Sequence, residues 1–414
     1  MKRHTLAVLS ASILTLACGA VVRNLSVSTA MDEDGFTVVS YTLSGEPAVV
    51  TFDVLTNGVS VGASGVARAR GDVWKLMQPG DGTIRWRADR DLPEQTFAAG
   101  AFDVRVTAWP TNDPPDYMVI DLVTNATVRT PQIAYFPTVD HLPAGGLKNR
   151  NYARTKLVMR KIPAANRRWR MGDAAASTPT DHDVILTENY YMSIYEVTGS
   201  QNNLMTGGGG STDETPRHGS YNGFRGSNWP TGLHDGVGGE IATWGAYTGL
   251  KLDLPTEAQW EFAARGGEYA HDLYNGTDIT VVDNVATALN AVAWYGYNSQ
   301  NASGKCVLQK VGLLAPNSYG LYDMLGNLFE WVLDWQRAQP GPAVTEVDPI
   351  GGTSGSQRIL RGGSYNWAAN YCTLSARRAH SFPGNYWDSG AGVDGQGSVK
   401  IFGVRLVCPA VAVR

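Results

Sequence analysis

The stretch RGGSYNWAANYC, residues 361–372, places a serine and a cysteine among aromatic and amide side chains. A cysteine thiolate is both a nucleophile and a ligand for soft metals, and its reactivity depends on its pKa and exposure. Cys372 is therefore the candidate catalytic residue if the protein is an enzyme. The tyrosine, tryptophan and asparagine content of the same stretch is also typical of a binding surface, so two classes of function stay open.

The cysteine count limits what the thiols can do. Without Cys18, which lies close to the N-terminus, three cysteines remain: Cys306, Cys372 and Cys408. Three is an odd number, so at most one disulfide can form. In an exported protein, a Cys372–Cys408 or a Cys306–Cys408 bridge is expected, and the sequence does not choose between them.

The N-terminus has the pattern of a secretory signal. Basic residues 2–4 precede an apolar run from Leu6 to Ala17, which is too short to span a membrane. Cleavage after Ala20 would give an exported, periplasmic or secreted protein. Processing before Cys18 would give a lipid-anchored one, but Thr15 stands where bacterial lipoprotein signals prefer leucine. We expect an exported protein without a membrane span, because no other apolar run approaches the required length of about 18 residues.

Composition excludes one class of partner and favours a turn-rich fold. The net charge is −4 and no dense run of lysine and arginine occurs, so we expect no nucleic-acid partner. Charged residues make up 17% of the chain, against a usual value of about 25%. With 47 glycines and 12 tryptophans, the chain is expected to form many turns packed on aromatic side chains.

Short strands dominate the first part of the chain. Val39, Tyr41 and Leu43 alternate with polar neighbours, and Asn57-Gly58 is a hairpin-turn signal. We predict an all-β sandwich of immunoglobulin or fibronectin type over residues 21–125, after a signal peptide at 1–20. A proline-rich linker at 126–149 then leads to a second, α+β domain at 150–414.

One helix of the second domain can be predicted in detail. In PTEAQWEFAARGG, residues 255–267, Thr256 and Gln259 have the spacing of a capping box, and Gly266 is a C-terminal stop. Glu257 and Glu261 lie four residues apart on this helix. They are expected to act as a partner of the helix dipole and a salt-bridge residue rather than as a catalytic pair.

Five segments, in order along the chain, resemble one family. They are SIYEVT (193–198), LPTEAQWE (254–261), GLYDMLGNLFEW (320–331), RGGSY (361–365) and FGVR (402–405). The segments are similar to motifs of the sulfatase-modifying-factor family, whose best-known member is the formylglycine-generating enzyme. The resemblance implies a loop-rich domain related to C-type lectins. That fold serves cysteine oxidases and also non-catalytic binding proteins, including variable proteins of diversity-generating retroelements, so it does not decide the function.

The resemblance argues against copper chemistry. The formylglycine-generating enzyme binds copper through two cysteines, separated by four residues, just after its RGGS motif, and soft thiolates suit Cu(I). Here the two positions fall on Trp367 and Cys372. Alignment backwards from Ala376-Arg377 moves Cys372 off the thiol position by two residues. We therefore expect no copper. An oxidase acting on sulfatase cysteines stays as the alternative function, and the resemblance implies that its catalytic residues would be Cys372 and Ser364, since Ser364 matches a position that lines the active-site groove of the family.

The resemblance implies calcium instead. In the family, the block that matches Asp323 to Glu330 wraps a calcium ion. The ligands carried over would be the carboxylates of Asp323 and Glu330 and the carbonyls of Gly326 and Leu328, an oxygen set that suits a hard cation. Alternatively, the two carboxylates bind backbone groups in a tight turn.

Two further hypotheses weigh less. The iron site of the ergothioneine branch of this fold needs clustered histidines, and the seven here show no metal-ligand spacing: His4, His141, His182, His218, His234, His271 and His380. Arg361, Arg377, Arg378 and Arg405 could form an anion-binding patch, or they could organise loops.

The preferred hypothesis is a calcium-stabilised recognition module for an extracellular protein or glycan, with no nucleic-acid partner. Tyrosine, tryptophan and asparagine supply rigid anchors and adaptable hydrogen bonds. The run 364–388 would also suit a surface diversified by a retroelement. The predicted contact residues are Tyr365, Asn366, Trp367, Asn370, Tyr371, Tyr386 and Trp387.

Overall fold

The computed structural model describes residues 10–15, 19–28, 30–93, 102–124, 130–143, 145–173, 180–219, 239–283, 285–381 and 401–413. The chain forms two compact units. The first comprises residues 1–120, 132–149 and 410–414, and the second comprises residues 121–131 and 150–409. Most of the predicted linker, residues 132–149, thus belongs to the first unit.

The described part of the first unit consists of β-strands with two short helices. The strands are β1 Ser10–Thr15, β2 Val21–Val27, β3 Thr37–Ser44, β4 Ala48–Thr56, β5 Val59–Ser60, β6 Arg70–Gly71, β7 Lys75–Met77, β8 Gly80–Trp86, β9 Phe102–Pro110, β10 Tyr117–Asp121 and β11 Gln132–Phe136. The helices are α1 Ala63–Val66 and α2 Ala88–Asp91, and single 3₁₀ turns cover Val139–His141 and Gly146–Lys148.

Two sheets enclose the core of this unit. One has the order β1-β9-β4-β5, with β7 also on β4, and the other has the order β2-β3-β8-β6. The predicted alternation holds, since Val39, Tyr41 and Leu43 are at most 2% exposed and share a core with Phe52 and Trp86. Asn57 and Gly58 have φ of +51° and +81°, the conformation that a two-residue hairpin turn between β4 and β5 requires. The prediction of a β-rich N-terminal region is confirmed.

The segment predicted as an export signal contributes a strand. β1 runs parallel to β9, with Ser10 opposite Asp103 and Thr15 opposite Ala108. Cleavage after Ala20 would remove β1 and leave that edge of β9 with unpaired backbone groups. Export and cleavage stay predictions.

The second unit mixes short strands, helices and long loops. A 3₁₀ turn at Arg150–Ala153 precedes β12 Lys156–Ile162, β13 Arg167–Met171, β14 His182–Leu186, β15 Tyr190–Ser193, α3 Gly199–Met205, α4 Glu240–Thr248 and α5 Glu257–Arg265. There follow a 3₁₀ turn at Thr287–Ala291, β16 Ala293–Trp294, β17 Leu325–Gly326, β18 Phe329–Trp335, β19 Thr345–Val347, β20 Gln357–Arg361, a 3₁₀ turn at Ala369–Tyr371, β21 Arg377–Ser381, β22 Phe402–Gly403 and β23 Val407–Pro409. Among the described residues, no helix is long and apolar enough to cross a membrane.

Local signals determine the ends of α5. The Thr256 hydroxyl accepts from the Gln259 N–H at 3.1 Å, and the Gln259 side chain accepts from the Thr256 N–H at 3.0 Å. Gly266, with φ +58°, ends the helix in the left-handed conformation. The sequence predicted this helix correctly, but it did not predict α3, which has its own capping box between Thr198 and Gln201.

The sheet β21-β20-β18-β22 brings three of the family motifs together. In its register Glu330 lies opposite Arg361 on one side and opposite Gly403 on the other. The RGGSY, GLYDMLGNLFEW and FGVR segments, far apart in the chain, therefore converge at this sheet, and the loop after β20 starts from it.

Candidate functional site

Two glycines turn the chain sharply after β20. Gly362 and Gly363 have φ of +89° and +84°. A Cβ atom at Gly363 would lie 2.4 Å from the sulfur of Cys372, and one at Gly362 would lie 2.9 Å from the Met324 carbonyl oxygen. Only glycine fits this conformation and spacing. The turn folds residues 364–372 back against the sheet.

An apolar cluster supports the folded-back loop. Leu328, Tyr365 and Ile401 form its buried part, and half-buried side chains pack around them: Trp294, Cys306, Leu308, Trp367 and Phe402. Tyr365 was predicted to contact a ligand, but it is 6% exposed and therefore supports the loop from below.

Trp367 is the centre of the accessible part of this loop. Its ring stands edge-on to Tyr371, with centroids 4.8 Å apart, and edge-on to Phe329 at 5.3 Å. The guanidinium carbon of Arg378 lies 4.0 Å from the ring centroid, a cation–π geometry. Together with Asn366 and the exposed Asn370, these residues form the Trp367 surface: Asn366, Trp367, Asn370, Tyr371 and Arg378.

Three N–H donors at and beside this surface have no hydrogen-bond partner among the described residues. They are Nε1 of Trp294, Nδ2 of Asn366 and Nε1 of Trp367, and all three atoms are shielded from solvent. The Ser364 hydroxyl donates to Oδ1 of Asn366 at 3.0 Å, which fixes the orientation of that amide. A shielded, unsatisfied donor costs about 1–3 kcal/mol, so acceptor atoms of a ligand or of water would be bound favourably here.

Sequence reasoning missed part of this site. Phe329 and Trp294 support the Trp367 ring and its cluster, although neither was predicted as a site residue. The sequence did offer a signal for Phe329, because it is an aromatic residue directly after Asn327-Leu328 within the GLYDMLGNLFEW segment. Tyr386 and Trp387, two predicted contact residues, lie outside the described residues.

Cys372 has the properties of a structural thiol. It is fully buried, and burial raises its pKa to about 12, although the backbone N–H groups of Ser364 and Gly326 favour the thiolate. The thiol is therefore protonated at neutral pH and is a weak nucleophile and metal ligand. With Trp367 at the other position, these residues do not fit a two-thiolate copper site.

The expected disulfides do not form. Cys306, Cys372 and Cys408 are all free thiols, because each is packed in a different place. The Cys306 thiol lies 3.3 Å from the Gly296 carbonyl oxygen, Cys372 packs against Gly363, and Cys408 lies in β23 opposite Tyr191.

Glu330, a predicted calcium ligand, is bound to other groups. Its side chain is 1% exposed, and it accepts from Nε and Nη2 of Arg405 at 2.8–3.1 Å. Nε1 of Trp260 donates to Oε2 at 2.7 Å. These donors use the lone pairs that a cation would need, so the four-residue calcium set does not fit this arrangement. The resemblance thus predicts calcium at these residues, whereas the contacts of Glu330 predict none, and calcium binding has to be measured.

The other carboxylates near this block also bind backbone or amide groups. Oδ2 of Asp323 accepts from the Gly312 N–H at 2.6 Å, and burial raises the pKa of Asp323 to about 6. Glu196, in the SIYEVT segment, accepts from Nδ2 of Asn327 at 2.8 Å. Burial, and then the charges of Glu330 and Asp323, raise the pKa of Glu196 well above its ordinary value. Within the described ranges, no group of three His, Cys, Asp or Glu side chains is arranged to hold a metal ion.

Carboxylate partners hold three of the four arginines proposed as an anion patch. Arg361 binds two glutamates of α5, with Nη1 at 2.9 Å from Glu257 and Nη2 at 2.6 Å from Glu261. Burial alone would raise the pKa of Glu261, but Arg265 and Arg361 outweigh it and keep this pKa below its ordinary value. Two other arginines of the proposed patch are also paired: Arg377 binds Glu257, and Arg405 binds Glu330. These arginines organise loops, and the anion patch does not form.

The second unit thus combines a sheet at which three motifs converge, a double-glycine turn and an aromatic loop. Residues 159–386 match the sulfatase-modifying factor enzyme 1-like domain. Because this match covers more than half of the 414 residues, the chain belongs to that family. The family and the fold class predicted from the sequence are confirmed.

Known proteins similar to this chain include formylglycine-generating enzymes. The enzyme of Thermomonospora curvata is 36% identical over 126 residues, which cover 29% of this chain and 40% of that protein. The enzyme of Streptomyces coelicolor is 34% identical over 142 residues, covering 34% and 43%. The chain thus spans less than half the length of these relatives. Among solved structures, Treponema denticola variable protein 1 is 24% identical, with a TM-score of 0.45, over 62% of this chain and 96% of that one.

Proposed function

We propose that the second unit is an exported recognition module that binds an extracellular protein or glycan through the Trp367 surface. One observation carries this function: the half-buried Trp367, whose Nε1 has no partner among the described residues, stands where the family resemblance would place a copper-binding cysteine. The surrounding loop is fixed by the double-glycine turn, so the surface is formed before a ligand arrives.

The chemistry of the surface suits recognition. Trp367 and Tyr371 offer rigid apolar area with little entropy to lose, and Asn366 and Asn370 offer adaptable hydrogen bonds. Aromatic and arginine side chains dominate the energetic centres of interfaces, and Arg378 lies directly on the Trp367 ring.

Binding to arrays of immobilised glycans and purified extracellular proteins tests this function. Trp367→Ala should lose at least about 30-fold in affinity for any ligand found, as expected for an interface centre. Asn370→Ala, at an exposed position, should weaken the same binding without affecting folding. Tyr269→Ala is a matched control, because Tyr269 is 42% exposed and packs beside Trp169 in another cluster. Unchanged binding by a folded Trp367→Ala variant would refute the assignment.

A cysteine oxidase is the second candidate, because the relatives of this chain include formylglycine-generating enzymes. Its residues would be Cys372 and Ser364, but the first is a fully buried thiol of raised pKa. Mass spectrometry of a cysteine peptide with a sulfatase motif, incubated with protein, copper and oxygen, separates the candidates. Conversion that Cys372→Ser abolishes would favour the oxidase.

Diversification by a retroelement is a finer form of the recognition function. It would concentrate variation in codons of the run 364–388, which includes Asn366, Trp367 and Tyr371. Sequencing the locus tests this form: adenine-rich codons beside a reverse-transcriptase gene are expected, and an invariant run without such a gene would contradict it.

A further inference from the structure

A cavity of about 760 Å³ lies entirely within the first unit, far in the chain from the Trp367 surface. Its floor is the outer face of strands β4 and β9, and residues 137–142 with 145–146 cover it. The volume is within the usual range for small-molecule sites, about 300–1,000 Å³. The side chains that matter below are Thr51, Asp53, Arg105, Thr107, Trp109 and His141.

The strand alternation makes this floor polar. Val50, Phe52 and Val54 point into the sandwich core and are fully buried, so their neighbours Thr51 and Asp53 lie on the opposite face. The register of β4 and β9 places Thr51 opposite Thr107 and Asp53 opposite Arg105. A covered polar face of this kind is what a hydrogen-bonding ligand requires.

The cover is fixed to the floor. His141 is 6% exposed, and its Nδ1 lies 2.9 Å from the Thr138 hydroxyl. Its Nε2 lies 3.2 Å from Oδ1 of Asp53. Asp53 also accepts from the Ser60 hydroxyl at 2.8 Å. These contacts give the cavity a formed wall before any ligand enters.

Arg105 is the unexplained cation of the cavity. Although Asp53 lies opposite in register, Arg105 forms no ion pair and no hydrogen bond with any described side chain, while Asp53 accepts from the Ser60 hydroxyl and lies 3.2 Å from Nε2 of His141. A half-buried guanidinium without a counter-ion favours a carboxylate ligand, which it can bind through two parallel hydrogen bonds.

Trp109 supplies the second part of the recognition. Its ring lines the cavity, and its Nε1 donates to the Thr51 hydroxyl at 2.8 Å, which holds the ring in place. A fixed aromatic wall beside hydroxyl, imidazole and carboxylate groups suits a ring that carries both C–H faces and hydroxyls. We propose that this cavity binds an acidic sugar, with its carboxylate on Arg105 and its ring on Trp109.

Saturation-transfer NMR and calorimetry on the full chain test this site. The probes are galacturonate, glucuronate and N-acetylneuraminate, with neutral galactose and glucose for comparison. At least one acid should bind saturably, about tenfold or more above its neutral counterpart, since a charge-assisted pair adds that much. Arg105→Gln should remove this preference. Arg23→Gln, an exposed arginine on the other sheet, should keep it.

Absence of saturable binding by all three acids would overturn the site, as would an unchanged preference in Arg105→Gln. A direct reading on the unmutated chain guards against folding defects: the Nε–H resonance of Arg105 should shift with added acid and stay fixed with the neutral sugar. This test and the test of the Trp367 surface are independent, because no residue of that surface lines the cavity. A negative result for one site therefore leaves the other proposal unaffected.

Discussion

Arg405 is joined to Glu330 in the core by hydrogen bonds of 2.8 and 3.1 Å, and neither side chain is more than 1% exposed. Arg405 Nη1 and Nη2 also donate to the carbonyls of Ser193 and Tyr322. The pair therefore ties the FGVR and GLYDMLGNLFEW segments to β15. A buried charge pair of this kind depends on both partners being present.

Removal of one partner should be severe. Arg405→Met leaves the Glu330 carboxylate buried without its cation, at a cost of about 3–5 kcal/mol of unfolding free energy. The double variant Arg405→Met/Glu330→Gln should recover part of this loss. Urea denaturation measures both. A single variant as stable as the unmodified protein would contradict the structural role of the pair.

Calcium should have little effect on stability. Because Arg405 and Trp260 already use the oxygens of Glu330, the unfolding temperature is expected to be the same in calcium and in EGTA. Differential scanning calorimetry checks this expectation. A rise with calcium that Asp323→Asn abolishes would support the ligand set implied by the family and would require Arg405 to release Glu330.

Asp334 should make stability fall as pH rises. Burial, and then the charge of Glu257, raise the pKa of Asp334 to about 8 from 3.8, although the Glu257 N–H donates to it at 2.6 Å. Between pH 4 and 8 the unfolded chain loses this proton while the folded chain keeps it, so unfolding becomes easier, and the effect levels off above pH 8.

Asp334→Asn should remove this part of the pH dependence. Unfolding free energies at pH 5, 6.5 and 8 measure it, and the difference between variant and unmodified protein isolates Asp334. Asp183→Asn is the control. The hydrogen bond from Arg168 is the main cause that lowers the pKa of Asp183. The stability that ionised Asp183 adds is therefore lost only as pH falls below about 4. Equal slopes in the Asp334→Asn variant and the unmodified protein would show that Asp334 is not the cause.

Gly363 should tolerate no side chain. Alanine there would adopt a φ of +84° and would also clash with Cys372, whereas alanine at Gly209 would adopt a φ of +81° in open space. Gly209→Ala should therefore cost only the left-handed strain, roughly 1–2 kcal/mol. Gly363→Ala should cost clearly more in thermal unfolding, and equal costs would mean that the turn is looser than described.

Features that depend on neighbouring residues could be predicted from the sequence. The α5 cap needs only Thr256 and Gln259, and the β4–β5 hairpin needs only Asn57-Gly58, because both signals act within a few residues. The alternation along β3 likewise predicted its buried face.

Features that depend on residues far apart in the chain could not be predicted from the sequence. Glu330 meets Arg405 across 75 positions, so the carboxylate identified as a calcium ligand could not be recognised as one half of an ion pair. Composition identified the 361–372 loop as a binding surface, but it could not tell that Tyr365 faces the core while Trp367 faces outward. The three arginines of the predicted anion patch that bind carboxylates on other elements could not be recognised for the same reason.

Copper content is the measurement that tests most directly whether this loop recognises a ligand or carries out oxidation. The protein is equilibrated with Cu(I) under reducing conditions, desalted and analysed by mass spectrometry of the metal. With Trp367 in place of a thiol and Cys372 buried at a pKa of about 12, no stoichiometric copper should remain. One copper per chain, lost in Cys372→Ser, would contradict the recognition function and restore the oxidase.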